Sequence, residues 1–395
     1  MVSLAVLFAG LYCVSGWRAT VTPARRSAST STVMSMLATP ISRNAPVPPG
    51  PDPYKLVNDE LEFIKGSLKK VLTSKGAGTS SALSSNEVLT MAAREFMQRK
   101  GKSFRPMLVL LIGRATNPDF VTDQRHSKLA VITEMIHTAS LIHNDVLEEH
   151  ETDTSQGTLV HQEVALDVGN KVCILAGDFL LAKAAVELSL LESSKVTEIV
   201  ASGLESICEG GMMGFNSTTK GVERANLSVE RHLEIISQTI AQLVANACQC
   251  AAILSGHEAS SRVANACHVY GRSLTMAHHL VGEAEAMERL IKSCRRNAKK
   301  ACDFSAVQPR STPFLLAAEK HPRLRELIGG AEETTLSPAE AVRLVERSGA
   351  IKQTQLRAEA YAQEAADALV LLPNSVARDS LQLLCHKVVS RTALK

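Results

Sequence analysis

The sequence predicts an all-α protein, and three observations carry that expectation. Ala and Leu are abundant while aromatic residues make up only 4% of the chain, a balance that favours helices over strands. Apolar residues recur at steps of three and four through most of its length. No stretch alternates apolar and polar residues as a half-buried strand would, and no internal repeat is present.

The first 51 residues read as a leader rather than as structure. Leu4 to Val14 is an apolar run too short to span a bilayer but suited to a signal-peptide core, with Ser15-Gly16 as a cleavage region. After Trp17 comes a stretch rich in Ser, Thr, Ala and Arg without a single acid, the composition of an organelle transit peptide. In tandem the two describe a bipartite leader for a plastid reached through the secretory pathway, with a mitochondrial presequence as the alternative. Pro46 to Pro53 forms a stiff boundary, which divides the chain into a leader at 1–51 and one helical domain at 52–395.

Charge and cysteine content exclude several classes of function. The leader holds Arg18, Arg25, Arg26 and Arg43; without these four, 39 basic groups stand against 40 acidic ones in a chain whose formal charge is +3. A near-neutral domain offers no general case for binding nucleic acid. Nine cysteines are scattered without metal-ligand spacing, so reduced core thiols are expected.

Taken in order, Tyr54 to Leu72 carries apolar residues at helical spacing, and Ser74 to Ser85 is a Gly/Ser/Ala linker. Met91 to Met97 leads to Gly101, and Pro106 opens an apolar helix to Arg114, as proline in a first turn permits. Leu129, Ile132, Met135, Ile136, Ala139, Ile142 and Val146 form one stripe of a long helix ending near Glu149. Helices follow over Val172–Leu191 and Ser194–Cys208, then a Gly-rich polar loop from Met212 to Asn226. Long helices at Ser228–Ser255 and Ala259–Leu290 come next. The last three are Pro338–Val345, Lys352–Leu372 and Ser375–Thr392, with Ser337-Pro338 and Pro373-Asn374-Ser375 as start signals.

Two polar constellations stand out. His137, Ser140, Asn144 and Glu148 form a second stripe on the long helix, flanked by Asp145 and Glu149. An acidic helix end of this kind can hold hydrated Mg²⁺, which takes one or two carboxylates and completes its octahedron with water and phosphate oxygens. The same pattern also describes a solvated helix end. Lys102 and Arg105, beside Gly101 and a helix N-terminus, suit a diphosphate anchor or, equally, a charged helix start.

The segment Glu134-Met135-Ile136-His137-Thr138-Ala139-Ser140-Leu141-Ile142-His143-Asn144-Asp145-Val146-Leu147-Glu148 resembles the first aspartate-rich region of the trans-polyprenyl diphosphate synthases. Gly101-Lys102-Ser103-Phe104-Arg105-Pro106 resembles the family's GKxxRP, and Gly169-Asn170-Lys171 with Leu175-Ala176-Gly177-Asp178-Phe179-Leu180 resembles its GNK and LAGDFLL. Similar stretches recur at Tyr270-Gly271-Arg272, Thr312-Pro313-Phe314 and Ser348-Gly349-Ala350, so the likeness runs from about Asp52 to the C-terminus. The resemblance implies a single large isoprenoid-synthase-type helical bundle around a central cleft. It implies that Lys102, Arg105 and His137 hold the diphosphate of isopentenyl diphosphate, the acceptor. It also implies Mg at the acidic motifs and a dimer. Ala139 and Ser140, one turn before Asn144, match the floor of the product tunnel, where small residues leave room for long chains.

The departures from the family pattern fall on the donor side. The leading aspartate of the first motif is Asn144, and its last is Glu148. The following loop, Asp153 to Gly157, lacks the family's paired arginines, and its Lys-Thr pair is Gln238-Thr239. The second motif, expected as FQxxDDxxD, reads from His278 and His279 to Gly282-Glu283-Ala284-Glu285-Ala286, with carboxylates two apart and facing different ways. Removing one preorganised electrostatic group commonly costs ~10²- to 10³-fold in rate. The sequence therefore predicts a chain nearly inactive alone, paired with a catalytically intact polyprenyl diphosphate synthase in a heteromer. One alternative is an active enzyme using Asp145, Glu148, Glu149 and Glu283 for metal, with Arg295, Arg296 or Lys299 as the missing cation; another is a helical binding scaffold.

Overall fold

In the computed structural model, the residues described are 41–45, 47–73, 87–98, 103–117, 124–149, 169–219, 227–296, 308–329 and 336–390. Among them every regular element is helical, as the sequence predicts. The helices are α1 Pro53–Leu56, α2 Asn58–Thr73, α3 Glu87–Gln98, α4 Phe104–Thr116, α5 Gln124–Glu149, α6 Asn170–Ser189, α7 Ser194–Thr219 and α8 Val229–Ile236. A π-helical turn, Ser237–Ala241, joins α8 to α9 Gln242–Leu254. Then come α10 Arg262–Arg296, α11 Thr312–Lys320, α12 Leu324–Gly329, α13 Pro338–Ser348, α14 Ala350–Ala368 and α15 Val376–Ser390. None of the described helices is long and apolar enough to cross a membrane.

Local chemistry explains the helix starts. Asp52 accepts from the backbone N–H groups of Tyr54 and Lys55, and Pro53 then occupies the first turn of α1. Ser228, Ser337 and Ser375 each accept from the N–H three residues on, at 3.1, 3.2 and 3.1 Å. Gly349, at φ 73°, turns the chain from α13 into α14.

The 35-residue α10 is the spine, packed against α9 and α14, while α5 packs against α4 and α6. The run Met107 to Ile112 on α4 is wholly buried, and each such side chain contributes roughly 1.5–3 kcal/mol by leaving water. Close approaches are made where a side chain is missing. A Cβ on Gly271 would lie 2.9 Å from the Val244 carbonyl oxygen, so α10 and α9 touch backbone to backbone there. On α6, a Cβ on Gly177 would lie 2.2 Å from His143 Nε2. The imidazole of α5 thus occupies the space a side chain would fill.

Three expectations need correction. The Gly-rich stretch from Met212 continues α7 as helix to Thr219, because Gly210 lets that helix approach Gln238 and Thr239, where a Cβ would meet atoms at 2.8 and 2.9 Å. The helix expected over Ser228–Ser255 is interrupted by the π turn. Residues 41–45 and 47–51, expected within the leader, also pack on the bundle. Ile41 is buried and its N–H donates to Gln363 Oε1 at 3.1 Å; the Arg43 N–H donates to Glu359 Oε1 at 2.8 Å, and its guanidinium pairs with Glu288 at 3.2 Å. Farther along, Ser380 donates to the Pro51 carbonyl at 2.8 Å. This strap belongs to the same compact unit as the bundle, Pro40–Lys395.

Among the described cysteines, Cys173, Cys208, Cys248, Cys250, Cys267 and Cys385 are free, and burial pushes the Cys248 thiol up to about 12. Cys294 is the exception to the expected reduced thiols, being disulfide-bonded.

Candidate functional site

Arg105 lies in the first turn of α4, where backbone N–H groups have no partner within the helix. Ser103 precedes it at φ 51°, a left-handed conformation that a non-glycine residue adopts at a cost, and makes no side-chain cap. The start of α4 therefore sets N–H groups without partners inside the helix beside a guanidinium, an arrangement suited to an anion. Arg105 faces Glu134 on α5, with Nη1 3.7 Å from Oε2, and the two side chains are only 22% and 20% exposed. Burial lowers the Arg105 pKa and raises that of Glu134, each partly offset by the other's charge.

One turn beyond Glu134 on the same helix stands His137. Of the three residues expected at the acceptor, Arg105 thus faces Glu134, which lies one turn from His137 along α5. Lys102 lies outside the described residues. Of the pair expected at the tunnel floor, Ala139 is fully buried in the main core, and half-buried Ser140 donates to the His137 carbonyl at 2.8 Å.

The second-motif stretch of α10 reaches this site from the other side. Exposed His278 stacks on Phe104, neighbour of Arg105, with ring centroids 5.7 Å apart and planes at 23°. A turn later, Glu283 is turned away to other partners. Its Oε1 lies 2.9 Å from His232 Nε2 and 3.5 Å from His279 Nε2, and its Oε2 accepts the Thr312 N–H at 3.1 Å. Burial alone would raise this carboxyl, but the two imidazoles hold it well below the usual carboxylate range. It also caps α11, whose own Ser311 makes no side-chain cap bond.

The chemistry of these donors decides whether Mg²⁺ fits the second motif. Gly282 and Ala286 offer no ligand, both oxygens of Glu283 are engaged by N–H donors, and Glu285 pairs with Arg289 at 3.6 Å. No three His, Cys, Asp or Glu side chains gather as a metal site among the described residues. In this arrangement neither Glu283 oxygen is free for the cation; the carboxylate, expected as a metal ligand, clasps His232, His279 and the Thr312 N–H. On the first motif Asn144 is exposed at the end of α5, while the side chains of Asp145, Glu148 and Glu149 lie outside what the structure describes.

Of the candidate replacement cations, Arg295 is engaged elsewhere: it bonds Glu346 and sits twelve residues beyond Glu283, roughly 18 Å along the helix axis. Arg296 follows it, and Lys299 lies outside the described residues. Where the family's Lys-Thr pair is expected, Gln238 and Thr239 sit on the π turn, and Gln238 Oε1 is buried with no hydrogen-bond partner among the described residues. Such turns concentrate at functional sites.

Glu134, His232 and the Phe104–His278 stack were not legible as site residues. Glu134 carried one signal, an acid set between Ile132 and Met135 of the apolar stripe. His143 and Asp178 form a smaller pairing, 3.7 Å apart, with His143 Nε2 also 3.3 Å from the Ile174 carbonyl oxygen.

Comparison with known proteins agrees with this geometry. The Polyprenyl synthetase family model matches residues 86–282. A decaprenyl-diphosphate synthase of Dictyostelium discoideum is 32% identical over 87% of this chain and 72% of its own length. A probable mitochondrial hexaprenyl pyrophosphate synthase of Neurospora crassa is 30% identical, over 86% of this chain and 82% of its own. Among solved structures, the Caulobacter crescentus polyprenyl synthase, crystallised with calcium and isoprenyl diphosphate, superposes with a TM-score of 0.69 at 26% identity, covering 86% of this chain and 97% of that one. With its all-α isoprenoid-synthase fold and these relatives, the chain belongs to the polyprenyl synthetase family and is a homologue of the long-chain polyprenyl diphosphate synthases.

Proposed function

We propose that this chain is a non-catalytic or regulatory subunit of a heteromeric long-chain prenyltransferase serving prenylquinone synthesis. It keeps the acceptor's diphosphate anchor, Lys102, Arg105 and His137, and lacks the means to ionise an allylic donor. The observation that carries this reading is the engagement of Glu283 by His232, His279 and Thr312, beside the ligand-free Gly282 and Ala286. Any Mg²⁺ would rest on Asp145, Glu148 and Glu149 and the substrate's own phosphates. One acidic motif acting alone leaves the departing diphosphate without its second clamp.

A partner surface supports the subunit role. Helix α6 is predominantly apolar, yet Ile174, Leu175 and Val186 on it are exposed, as are Met212 and Phe215 on α7. A relative from Schizosaccharomyces pombe, 29% identical over 85% of this chain, is named decaprenyl-diphosphate synthase subunit 1. The leader would deliver the chain to a plastid, and relatives carry chloroplastic and mitochondrial names. Its domain would begin near Pro40, with the leader upstream.

Co-expression with an intact synthase from the same organism tests the reading. The expected result is a co-purifying pair that elongates an allylic diphosphate, with this chain alone at least ~10²-fold slower than the pair. Ordinary turnover by the isolated chain with isopentenyl diphosphate and Mg²⁺ overturns it.

A further inference from the structure

The acceptor anchor contains a negative charge in its midst. Glu134 is one turn from His137, faces Arg105 at 3.7 Å, and is 20% exposed. Its Oε2 is buried and has no hydrogen-bond partner among the described residues. A good buried ion pair closes to about 2.7–2.9 Å with its lone pairs satisfied. This one stands open at 3.7 Å.

A carboxylate in that position is at odds with an incoming diphosphate. Two like charges at close range in a half-buried site repel strongly, because the effective dielectric there is well below that of water. The guanidinium that balances Glu134 in the empty site is the group the anion would take. Once Arg105 turns to phosphate oxygens, Glu134 is left buried and unpaired, a state that costs enough to favour its neutral form.

We propose that Glu134 is a positioning residue of the acceptor-diphosphate site: it restrains the Arg105 guanidinium while the site is empty and releases it to the anion by taking up a proton from solvent. The proton is bound at Oε2, the atom without a hydrogen bond, forming one O–H bond as the Arg105 pair is exchanged for phosphate. This inference rests on the reading of Arg105 and His137 as the acceptor's anchor. Burial already raises the Glu134 carboxyl, and Arg105 on α4 is the charged group acting against that rise. His137 is the titratable neighbour along α5, and His278 on α10 acts on Arg105 rather than on Glu134. Every variant compared below retains both histidines and uses the same ligands, so their own titration cancels.

The test is calorimetric titration of the full folded chain with isopentenyl diphosphate and, separately, inorganic diphosphate. It is run at pH 6, 7 and 8 in two buffers of different ionisation heat. Wild type is compared with Glu134→Gln, an isostere of the protonated acid, and with Arg105→Ala, each first shown to melt as wild type does. Wild type is expected to take up more protons than Glu134→Gln, and to lose affinity more steeply with pH, by up to about tenfold per unit. At pH 8 Glu134→Gln binds more tightly than wild type. Equal proton uptake and parallel pH profiles in these two proteins, with Arg105→Ala weakened, overturn the role of Glu134 alone. Absence of binding by wild type, or unchanged binding by Arg105→Ala, overturns the acceptor-site reading and this inference with it.

Discussion

The Glu283 carboxylate accepts the backbone N–H of Thr312 at 3.1 Å, joining the middle of α10 to the first turn of α11. With His232 and His279 on its other oxygen, one side chain ties three helices together. Replacing it by Gln is expected to destabilise the fold by roughly 2–4 kcal/mol, since a half-engaged partner set stays buried. Denaturant unfolding at pH 7 measures this.

The same group sets an acid dependence. Its folded pKa lies well below the ordinary 4.5, so its stabilisation is fully present above that value and is lost as pH falls through the folded one. Unfolding free energy measured from pH 5 to pH 2.5 should fall for wild type and fall less steeply for Glu283→Gln. Identical slopes would show that the clasp carries no linked proton.

Gly282 is exposed within α10 and a Cβ there meets nothing within 4 Å. Gly282→Ala should therefore raise stability by about 0.5–1 kcal/mol through helix propensity alone. Gly282→Asp should fold equally well without restoring turnover, because the neighbouring Glu283 remains engaged. Urea midpoints and a prenyl-transfer assay report on the two statements.

Gly177→Ala is the opposite case. Its Cβ would lie 2.2 Å from His143 Nε2, so the imidazole must leave the Ile174 carbonyl and Asp178. A loss of about 1–3 kcal/mol is expected. In Gly177→Ala/His143→Ala most of it should return, giving a coupling energy above about 0.5 kcal/mol in a double-mutant cycle.

The strap gives a prediction about boundaries. A chain beginning at Asp52 loses the burial of Ile41 and the bonds of Ile41 and Arg43 to Gln363, Glu359 and Glu288. It should be less stable than one beginning at Pro40 by about 2–4 kcal/mol. Comparing the two melting curves decides it.

What the sequence made legible follows from how local each signal is. Helical periodicity and the Ser337 and Ser375 caps depend on residues within a turn of one another, and the structure has them where expected. Arg105 and His137 were singled out through the motifs that surround them, which are local in the same way. The fate of Glu283 was not legible, because His232 and Thr312 lie far away in sequence and only packing brings them to it. The π turn escaped for a similar reason: it packs against Gly210 on another helix. The strap was missed because its composition is that of a leader, and its order comes from α14 and α15.

The Ile41 to Gln363 bond spans 322 residues. It cannot form until α14 has left the ribosome, so the strap settles only when synthesis is almost complete. Until that moment Ile41 and Arg43 have no surface to pack on, so the opening residues of the bundle are the last of it to be fastened down.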